Sequence, residues 1–480
     1  MSSRGIKFIN SFNDGRNVWL EGKRVEQFQH HPAFKGTLQS ISRLFDMLDT
    51  PGEQDEVGFL KPDGSYAHSS FLVPYSREEL AARSRAFHRW SKETNGMMSR
   101  LSDYARSMIT GWYGARKQLG QLDPHFESKI TAYYKEARDQ DLFLTTAILD
   151  PQINRANGLE DEKIAERFLH VVRETSEGIV VRGAKMIATG APYTHDFVIF
   201  SLLQFNRDQA KHAHVLIVPA NSPGLHIVCR ESFADNRSKE HILSSRYEEM
   251  DAVLFFDDVL IPWERVLLHG NADAVLKLRE NRTANSLAYH QTAVRMVAKL
   301  EFITGVTMAV AESIGVNGFL HIQEKLGELL TQVDSVKALV YASEGHAAPD
   351  ADGIYVPDIS YIHTARNMGT KFYPRAVEIL QQVGGGGFVQ TPSGMEDFYG
   401  QISKQMHLYF EGATVSAEKK VQLLKLAWDL IGSSFGSRHE LYERFYAGDP
   451  IKGHALQYLN ADHSFFTGPV WQLIKEGSKH

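Results

Sequence analysis

Arg100 and Tyr104 stand four residues apart in Arg100-Leu101-Ser102-Asp103-Tyr104. On a helix they share a face, one turn apart. A guanidinium and a phenol hydroxyl on one face can clasp an anionic or phenolic oxygen, although an ordinary surface pair has the same spacing. Gly384-Gly385-Gly386-Gly387 closes a helical pattern. It is not a dinucleotide fingerprint, because Val389 stands where a third glycine is needed and no strand precedes it. Four glycines let a backbone approach a ligand closely, or simply end a helix. None of the 21 histidines forms an HExxH pair. His212 and His214 share a strand face and read as a solvated strand end, and His290, beside Gln291, reads as a core histidine. The single cysteine, Cys229, excludes an internal disulfide and cysteine-rich zinc or iron–sulfur sites, so no metal centre is expected. Neither a Gly-x-Ser-x-Gly elbow nor a GxxxxGK[ST] phosphate loop occurs.

These residues need elements to position them. The first 150 residues read as mostly helical after a short extended start. Ser76-Arg77-Glu78-Glu79 is a capping box, followed by Leu80, Ala81, Phe87 and Trp90 at helical spacing. Phe126 to Asp141 reads as another helix. The pattern then changes to short strands: Ile179–Gly183, Met186–Thr189, Phe197–Phe200, His214–Val218, Leu225–Val228 and Ala252–Phe256. Turn signals such as Asn221-Ser222-Pro223-Gly224 separate them. That predicts a compact β-domain, a barrel or a sandwich. After Pro262-Trp263 the chain is helical again. Leu287 to Ser313 is apolar all round, as in a helix buried on several sides. Further helices are expected over Phe319–Ser343, Tyr361–Gln382 and Thr414–Ile431, giving a bundle. The expected organisation is α+β: an N-terminal mostly helical domain (1–150), a β-barrel domain (151–272) and a C-terminal helical bundle with a tail (273–480).

The chain has 480 residues with 52 Lys and Arg against 58 Asp and Glu, a net charge of −6. Such a chain lacks the basic footprint of a nucleic-acid binder. Charged residues at 23% and hydrophobic ones at 43% are those of an ordinary soluble globular protein. No apolar run reaches membrane-spanning length, and Met1-Ser2-Ser3-Arg4-Gly5 begins no secretory leader. A cytoplasmic protein is expected.

Several segments together resemble one family. They are Arg100-x-x-Asp103-Tyr104, Thr145-Thr146-Ala147 with Pro151-Gln152-Ile153-Asn154-Arg155, and Glu177-Gly178-Ile179-Val180-Val181-Arg182-Gly183-Ala184-Lys185-Met186 with Ala188-Thr189. Phe256-Asp257-Asp258-Val259-Leu260-Ile261-Pro262-Trp263-Glu264-Arg265-Val266, Lys299-Leu300-Glu301-Phe302 and Phe435-Gly436-Ser437-Arg438-His439-Glu440-Leu441-Tyr442-Glu443-Arg444 complete the set. The resemblance is to the oxygenase components of 4-hydroxyphenylacetate 3-monooxygenase, which are two-component FADH2-dependent monooxygenases. It spans nearly the whole chain. It implies an acyl-CoA dehydrogenase-like fold, with FAD between the β-domain and the bundle. It also implies a separate NAD(P)H–flavin reductase supplying FADH2, reaction with O2 through a C4a-hydroperoxyflavin, hydroxylation of a small electron-rich aromatic (phenol-, aminoarene- or heteroarene-type), and a homotetramer.

The resemblance also assigns residues. Arg100 and Tyr104 are expected to bind the phenol, with Ser201 and Leu202 lining the substrate end. Thr146, Ala147, Ile148, Gln152, Ile153, Asn154 and Arg155 fall on flavin-contacting segments. Thr189 falls where a hydroxyl donor near flavin N5 is expected. Gly384, Gly385 and Gly386, and Tyr446, Ala447, Gly448 and Asp449, are expected at the ADP half. Where the family has a substrate-binding histidine this chain has Thr146, which hydrogen-bonds but is no base near neutral pH. Either the substrate is already activated, or another group such as His195 supplies the base. The same flavin chemistry used for N-hydroxylation or epoxidation is the alternative, and a flavin-binding scaffold is the non-enzymatic one. The related 4-hydroxybutyryl-CoA dehydratase branch needs cluster cysteines where Ser99 and Asp103 stand.

Overall fold

The computed structural model describes residues 2–153 and 162–477. The strands used below are β1 (Asn17–Leu20), β2 (Lys23–Arg24), β3 (Leu144–Ala147), β4 (His170–Glu174), β5 (Gly178–Thr189), β6 (Asp196–Ile199), β7 (His214–Pro219), β8 (Leu225–Cys229), β9 (Asp251–Pro262) and β10 (Val266–His269). Among the described residues they form two sheets and not the closed barrel expected: a six-stranded sheet ordered β2-β1-β8-β9-β5-β4 and a four-stranded sheet ordered β10-β7-β6-β3. The reason lies in the inward-facing residues. Ile179, Val181, Leu254 and Phe256 of the larger sheet share one core with Phe197, Ile199, Leu216 and Val218 of the smaller. The other face of the smaller sheet, with Val198, Val215 and Ile217, is covered by helices. A sheet buried on both faces reads as a continuous apolar run, and that run gives no sign of closure.

Strands from the first 150 residues join this domain. β1 runs parallel to β8, with Asn17 opposite His226, and β3 runs parallel to β6, with Thr146 opposite Val198. The N-terminal span is thus stitched into both sheets.

The principal helices are α1 (Arg4–Asn10), α2 (Pro32–Asp46), α3 (Arg77–Glu93), α4 (Ser102–Gly114), α5 (Phe126–Asp139), α6 (Arg282–Ser313), α7 (Leu320–Gly345), α8 (Ile359–Gly384), α9 (Ala417–Ile431), α10 (Ser434–Phe445), α11 (Pro450–Leu459) and α12 (His463–Gly477). Ser76 caps α3 by accepting from the Glu79 N–H at 3.1 Å, but the Glu79 carboxylate takes the Tyr75 N–H rather than closing the expected box on Ser76. α6 is the central helix and packs against α3, α4, α7, α8 and α9. Its approach to α4 is so close that a Cβ on Gly111 would lie 2.3 Å from the Ala284 Cα, which only glycine permits. This contact fixes α4, and with it Arg100 and Tyr104, against the bundle. No helix of the described residues is long and apolar enough to cross a membrane.

Candidate active site

Arg100 stands just ahead of Leu101, the N-cap of α4, and Tyr104 lies in the helix's first turn. The part-buried Arg100 guanidinium lies 4.6 Å from the Tyr104 ring centre and 4.9 Å from that of Tyr446. Its Nε donates to the Tyr442 hydroxyl at 3.0 Å, and Nη1 approaches the Thr146 hydroxyl at 3.5 Å. The structure brings Arg100, Tyr104 and Thr146 together, as the sequence suggests, and sets Tyr446 beside them, away from the ADP half where it was expected. Sequence reading missed Tyr442. The signal was present: Arg438 and Tyr442 repeat the four-residue spacing of Arg100 and Tyr104, one turn apart on α10. No ion pair among the described residues includes Arg100, whose charge is surrounded by tyrosines. Burial keeps those tyrosines neutral, raising Tyr104 and Tyr442 and pushing Tyr446 to about 12. The Tyr446 hydroxyl is buried with no hydrogen-bond partner.

α10 is anchored under this cluster. Glu443 receives both Arg295 Nη1 (2.8 Å) and Nη2 (2.9 Å), and Lys299 Nζ at 2.8 Å, with all three side chains fully buried. Burial opposes ionisation of Glu443, yet the two cations hold it at about 2. Burial pushes Lys299 down to about 8. Ser99 donates into the same cluster, to Glu443 at 3.2 Å. Asp103 accepts from Gln291 at 3.0 Å, clipping α4 to α6, and burial raises its carboxyl to about 7.

Thr189 ends β5. Its neighbour Gly190 approaches the Arg100 carbonyl, with an added Cβ falling 3.9 Å from that oxygen. Thr145 Oγ1 donates to the Thr189 carbonyl at 2.8 Å, tying β3 to β5. The ladder between β5 and β9 is irregular just before this point, where Leu254 faces Lys185 and Ala252 faces Ala188. Ile187 there has φ of 53°, a costly value for a β-branched residue, and such irregularities re-aim side chains beside sites. The Thr189 hydroxyl donates to Asp251 Oδ1 at 2.7 Å. Toward any further partner it therefore offers its lone pairs rather than its proton.

His195 is not at the site. Its Nδ1 accepts from the Phe143 N–H and its Nε2 contacts Ser11 Oγ, each at 2.8 Å, while its ring packs between Phe8 and Phe12. Burial pushes its pKa to about 3, so it is a neutral core histidine and replaces no base. No hydrogen bond among the described residues joins a histidine to Arg100, Tyr104 or Thr146. His212 and His214 are buried rather than solvated, and the described residues contain no metal-holding group of His, Cys, Asp and Glu.

Ala147 ends β3 in the core, and Ile148 just beyond it is half-buried. Ser201 follows β6 alongside them and donates to Asp150, which also pairs with buried Lys185 Nζ at 2.6 Å. Leu202 is exposed. Gln152 and Ile153 lie on the surface beyond Asp150, and Asn154 and Arg155 fall outside the described residues. Gly384 packs under Phe388, where a Cβ would lie 2.2 Å from the ring, while Gly385 (φ 49°) is open and a Cβ on Gly386 would meet only the Gln390 amide at 3.6 Å. Ala447 accepts from Arg366 Nη2 at 3.3 Å, Gly448 has φ of 96°, and Asp449 caps α11 through Ile451 N–H at 2.9 Å. Arg366 and Gly384 are about 27 Å apart along α8 at the usual helical rise. Within one chain the two expected ADP-binding groups are therefore not brought together.

The model of the family described as 4-hydroxyphenylacetate 3-hydroxylase matches residues 4–268 with its N-terminal part and 276–473 with its C-terminal part. The chain belongs to this family. It is 35% identical to the 4-hydroxyphenylacetate 3-monooxygenase oxygenase component of Thermus thermophilus, over 100% of this chain and 98% of that protein. It is 34% identical to a 4-nitrophenol 2-monooxygenase oxygenase component of Rhodococcus, over 93% of this chain and 86% of that one. Among solved structures, an oxygenase component of 4-hydroxyphenylacetate 3-monooxygenase complexed with FAD and 4-hydroxyphenylacetate superposes with a TM-score of 0.94 at 34% identity, covering 100% and 99% of the two chains. The fold is the acyl-CoA dehydrogenase-like one, and the chain is the oxygenase component of a two-component flavin-dependent monooxygenase.

The residues fit a reduced flavin. Arg100 has no carboxylate partner among the described residues, the Tyr446 hydroxyl beside it is buried without a hydrogen-bond partner, and Thr189 is joined to the same region through Asp251, Arg438 and Glu249. Arg100, Tyr446 and Thr189 would hold the ring and its surroundings. When bound, reduced FAD supplies the electrons and, with O2, the oxygen atom that is transferred. Tyr104, Tyr442 and Tyr446 would exclude water from that chemistry beside the aromatic substrate.

Proposed function

We propose that the chain hydroxylates a phenol-type ring beside its hydroxyl group, using FADH2 from a separate NAD(P)H-dependent reductase. The observation that carries this reading is the Arg100 guanidinium, set between Tyr104 and Tyr446 with no carboxylate partner among the described residues. A part-buried guanidinium paired with no carboxylate favours an anion, and a phenolate is an anion whose ortho carbon is electron-rich. Thr146 and Tyr104 add neutral hydrogen bonds to the same oxygen. With no base at Thr146, ionisation depends on the phenol itself and on Arg100. Acidic phenols are then favoured, a class to which the nitrophenol of the Rhodococcus relative's name belongs.

The test pairs a 4-hydroxyphenyl compound with its 4-methoxy analogue, which cannot ionise. Anaerobic protein with FADH2 is mixed with each in oxygenated buffer, and both product and transient absorbance are followed. Hydroxylated product from the phenol alone is expected. Equal turnover of the ether removes the phenolate reading, and oxygen transfer to nitrogen or an alkene would replace it by the alternative chemistry.

We also infer a homotetramer. α11 and α12 expose Ile451, Leu459, Phe465, Phe466, Trp471 and Leu473, a row of large apolar groups that water does not favour. The separation of the glycine run from Tyr446–Asp449 supports a second copy completing the ADP site. Light scattering should give four chains for the full protein and fewer for one ending at Asp449. An unchanged mass would remove the tail from the assembly. Dependence on cellular NAD(P)H is consistent with the cytoplasm.

A further inference from the structure

Thr189 cannot turn its hydroxyl freely. Asp251 faces it directly across the β5–β9 ladder, so the two side chains meet as a cross-strand pair. Asp251 Oδ1 takes the Thr189 hydroxyl at 2.7 Å and Arg438 Nη2 at 2.7 Å, while Oδ2 takes Arg438 Nε at 2.9 Å and Arg230 Nε at 3.0 Å. Burial by itself would favour a neutral Asp251, but the two guanidiniums outweigh it and hold the carboxyl well below its usual range. An ionised carboxylate only accepts, so the threonine proton must point at Asp251. The same Arg438 reaches the other half of the site. Its Nη1 donates to Glu249 Oε2 at 2.8 Å, and Glu249 Oε1 accepts from the Arg100 backbone N–H at 2.5 Å. Its guanidinium also lies 4.6 Å from the Tyr442 ring centre, and the Tyr442 hydroxyl accepts from Arg100 Nε.

We propose that the Arg438–Asp251–Thr189 chain makes the site select reduced over oxidised flavin by holding Thr189 as an obligate hydrogen-bond acceptor. The chemistry is simple. N5 of reduced flavin carries a hydrogen and donates, whereas N5 of oxidised flavin has only a lone pair. An acceptor facing N5 bonds the first and repels the second. The proposal rests on the reading that Thr189 faces N5. Arg438 is a positioning residue: it keeps Asp251 ionised and, through Glu249, keeps Arg100 in the same frame. For a protein that must capture FADH2 made elsewhere and release FAD, such a device separates the two forms without contacting the rest of the cofactor.

The measurement is the ratio of the two dissociation constants, for FAD and for anaerobic FADH2, obtained by titration of the cofactor-free full chain. Wild type should favour FADH2. Asp251→Asn presents an amide donor that turns the Thr189 hydroxyl round, and the preference should fall roughly tenfold, one hydrogen bond's worth. FAD binding should stay level or tighten. Thr189→Val should lower the preference similarly, and adding Asp251→Asn to it should change the ratio no further. Arg438→Lys, which loses the two-pronged contact, should lower the ratio with a smaller change in FAD affinity. Damage to the fold would weaken both affinities together, so an unchanged ratio in Asp251→Asn and Thr189→Val overturns the proposal. So does a double variant whose ratio falls by the product of the single effects. A wild type that binds neither flavin would remove the flavin site itself, an outcome distinguishable from both.

Discussion

Arg100→Ala should lower product formation by about 10²–10³-fold, the usual effect of removing one preorganised charge-stabilising donor. FADH2 should still be consumed, with its electrons appearing as hydrogen peroxide. The variant should fold as well as wild type. Arg100 lacks a carboxylate partner, so its loss strands no buried anion, and its backbone N–H still reaches Glu249. Arg100→Lys should recover little, because an ammonium cannot hold Tyr442 through one edge and the substrate through the other, nor stack between Tyr104 and Tyr446. The check is product and peroxide per FADH2 consumed, alongside thermal melting. Unchanged coupling in Arg100→Ala would show that the guanidinium does not touch the reacting oxygen.

The helical parts were legible because long helices carry their period in the sequence. The all-round apolar pattern of Leu287–Ser313 announced a helix covered on several sides, and α6 is that helix. The strands were legible as strands but not as sheets. β7 is buried on both faces, so His214–Pro219 shows a run without alternation, and nothing local tells a barrel wall from a sandwiched sheet. β1 and β2 were missed as members of the larger sheet because the pairing of Asn17 with His226 leaves no trace in either short segment. In the site, Arg100, Tyr104 and Thr146 were legible through residue type, spacing and resemblance. His195 was misplaced: six residues from Thr189 in sequence, it lies beyond the turn Ala191–Tyr193 and faces Phe12 and Ser11 instead. The Glu249–Asp251–Arg438 network was not read, since it joins the start of β9 to a helix nearly two hundred residues later. Only the fold shows that Tyr442 meets Arg100 and that Arg438 ties Asp251 to Glu249.

Thr146→His should change what limits the enzyme. In wild type, Thr146 lends one hydroxyl beside Arg100 and no base. For a simple phenol with its ordinary pKa near 10, kcat/KM should then rise with pH through the neutral range, following the small phenolate fraction that Arg100 enlarges. A histidine at this position would stand next to the Arg100 cation, which disfavours its protonated form and lowers its pKa below the usual 6.5. It would be neutral at pH 7 and able to take the phenol proton. General-base help is worth about 10²–10⁴-fold, so kcat/KM for a simple phenol at pH 7 should rise toward that range. The pH profile should flatten above roughly pH 6.5, where the imidazole is already deprotonated, and fall below it. An acidic nitrophenol, already ionised at pH 7, should gain little, and the preference between the two substrates should invert. Burial sets a second condition: Thr146 is buried on β3, and a larger side chain there would compete with the substrate for space. Its Km effect should therefore fall on both phenols alike, whereas the pH profile should move for the simple phenol alone. If neither the profile nor the preference moves, Thr146 does not face the ring's polar group, and the phenolate forms by contact with Arg100 and Tyr104 only.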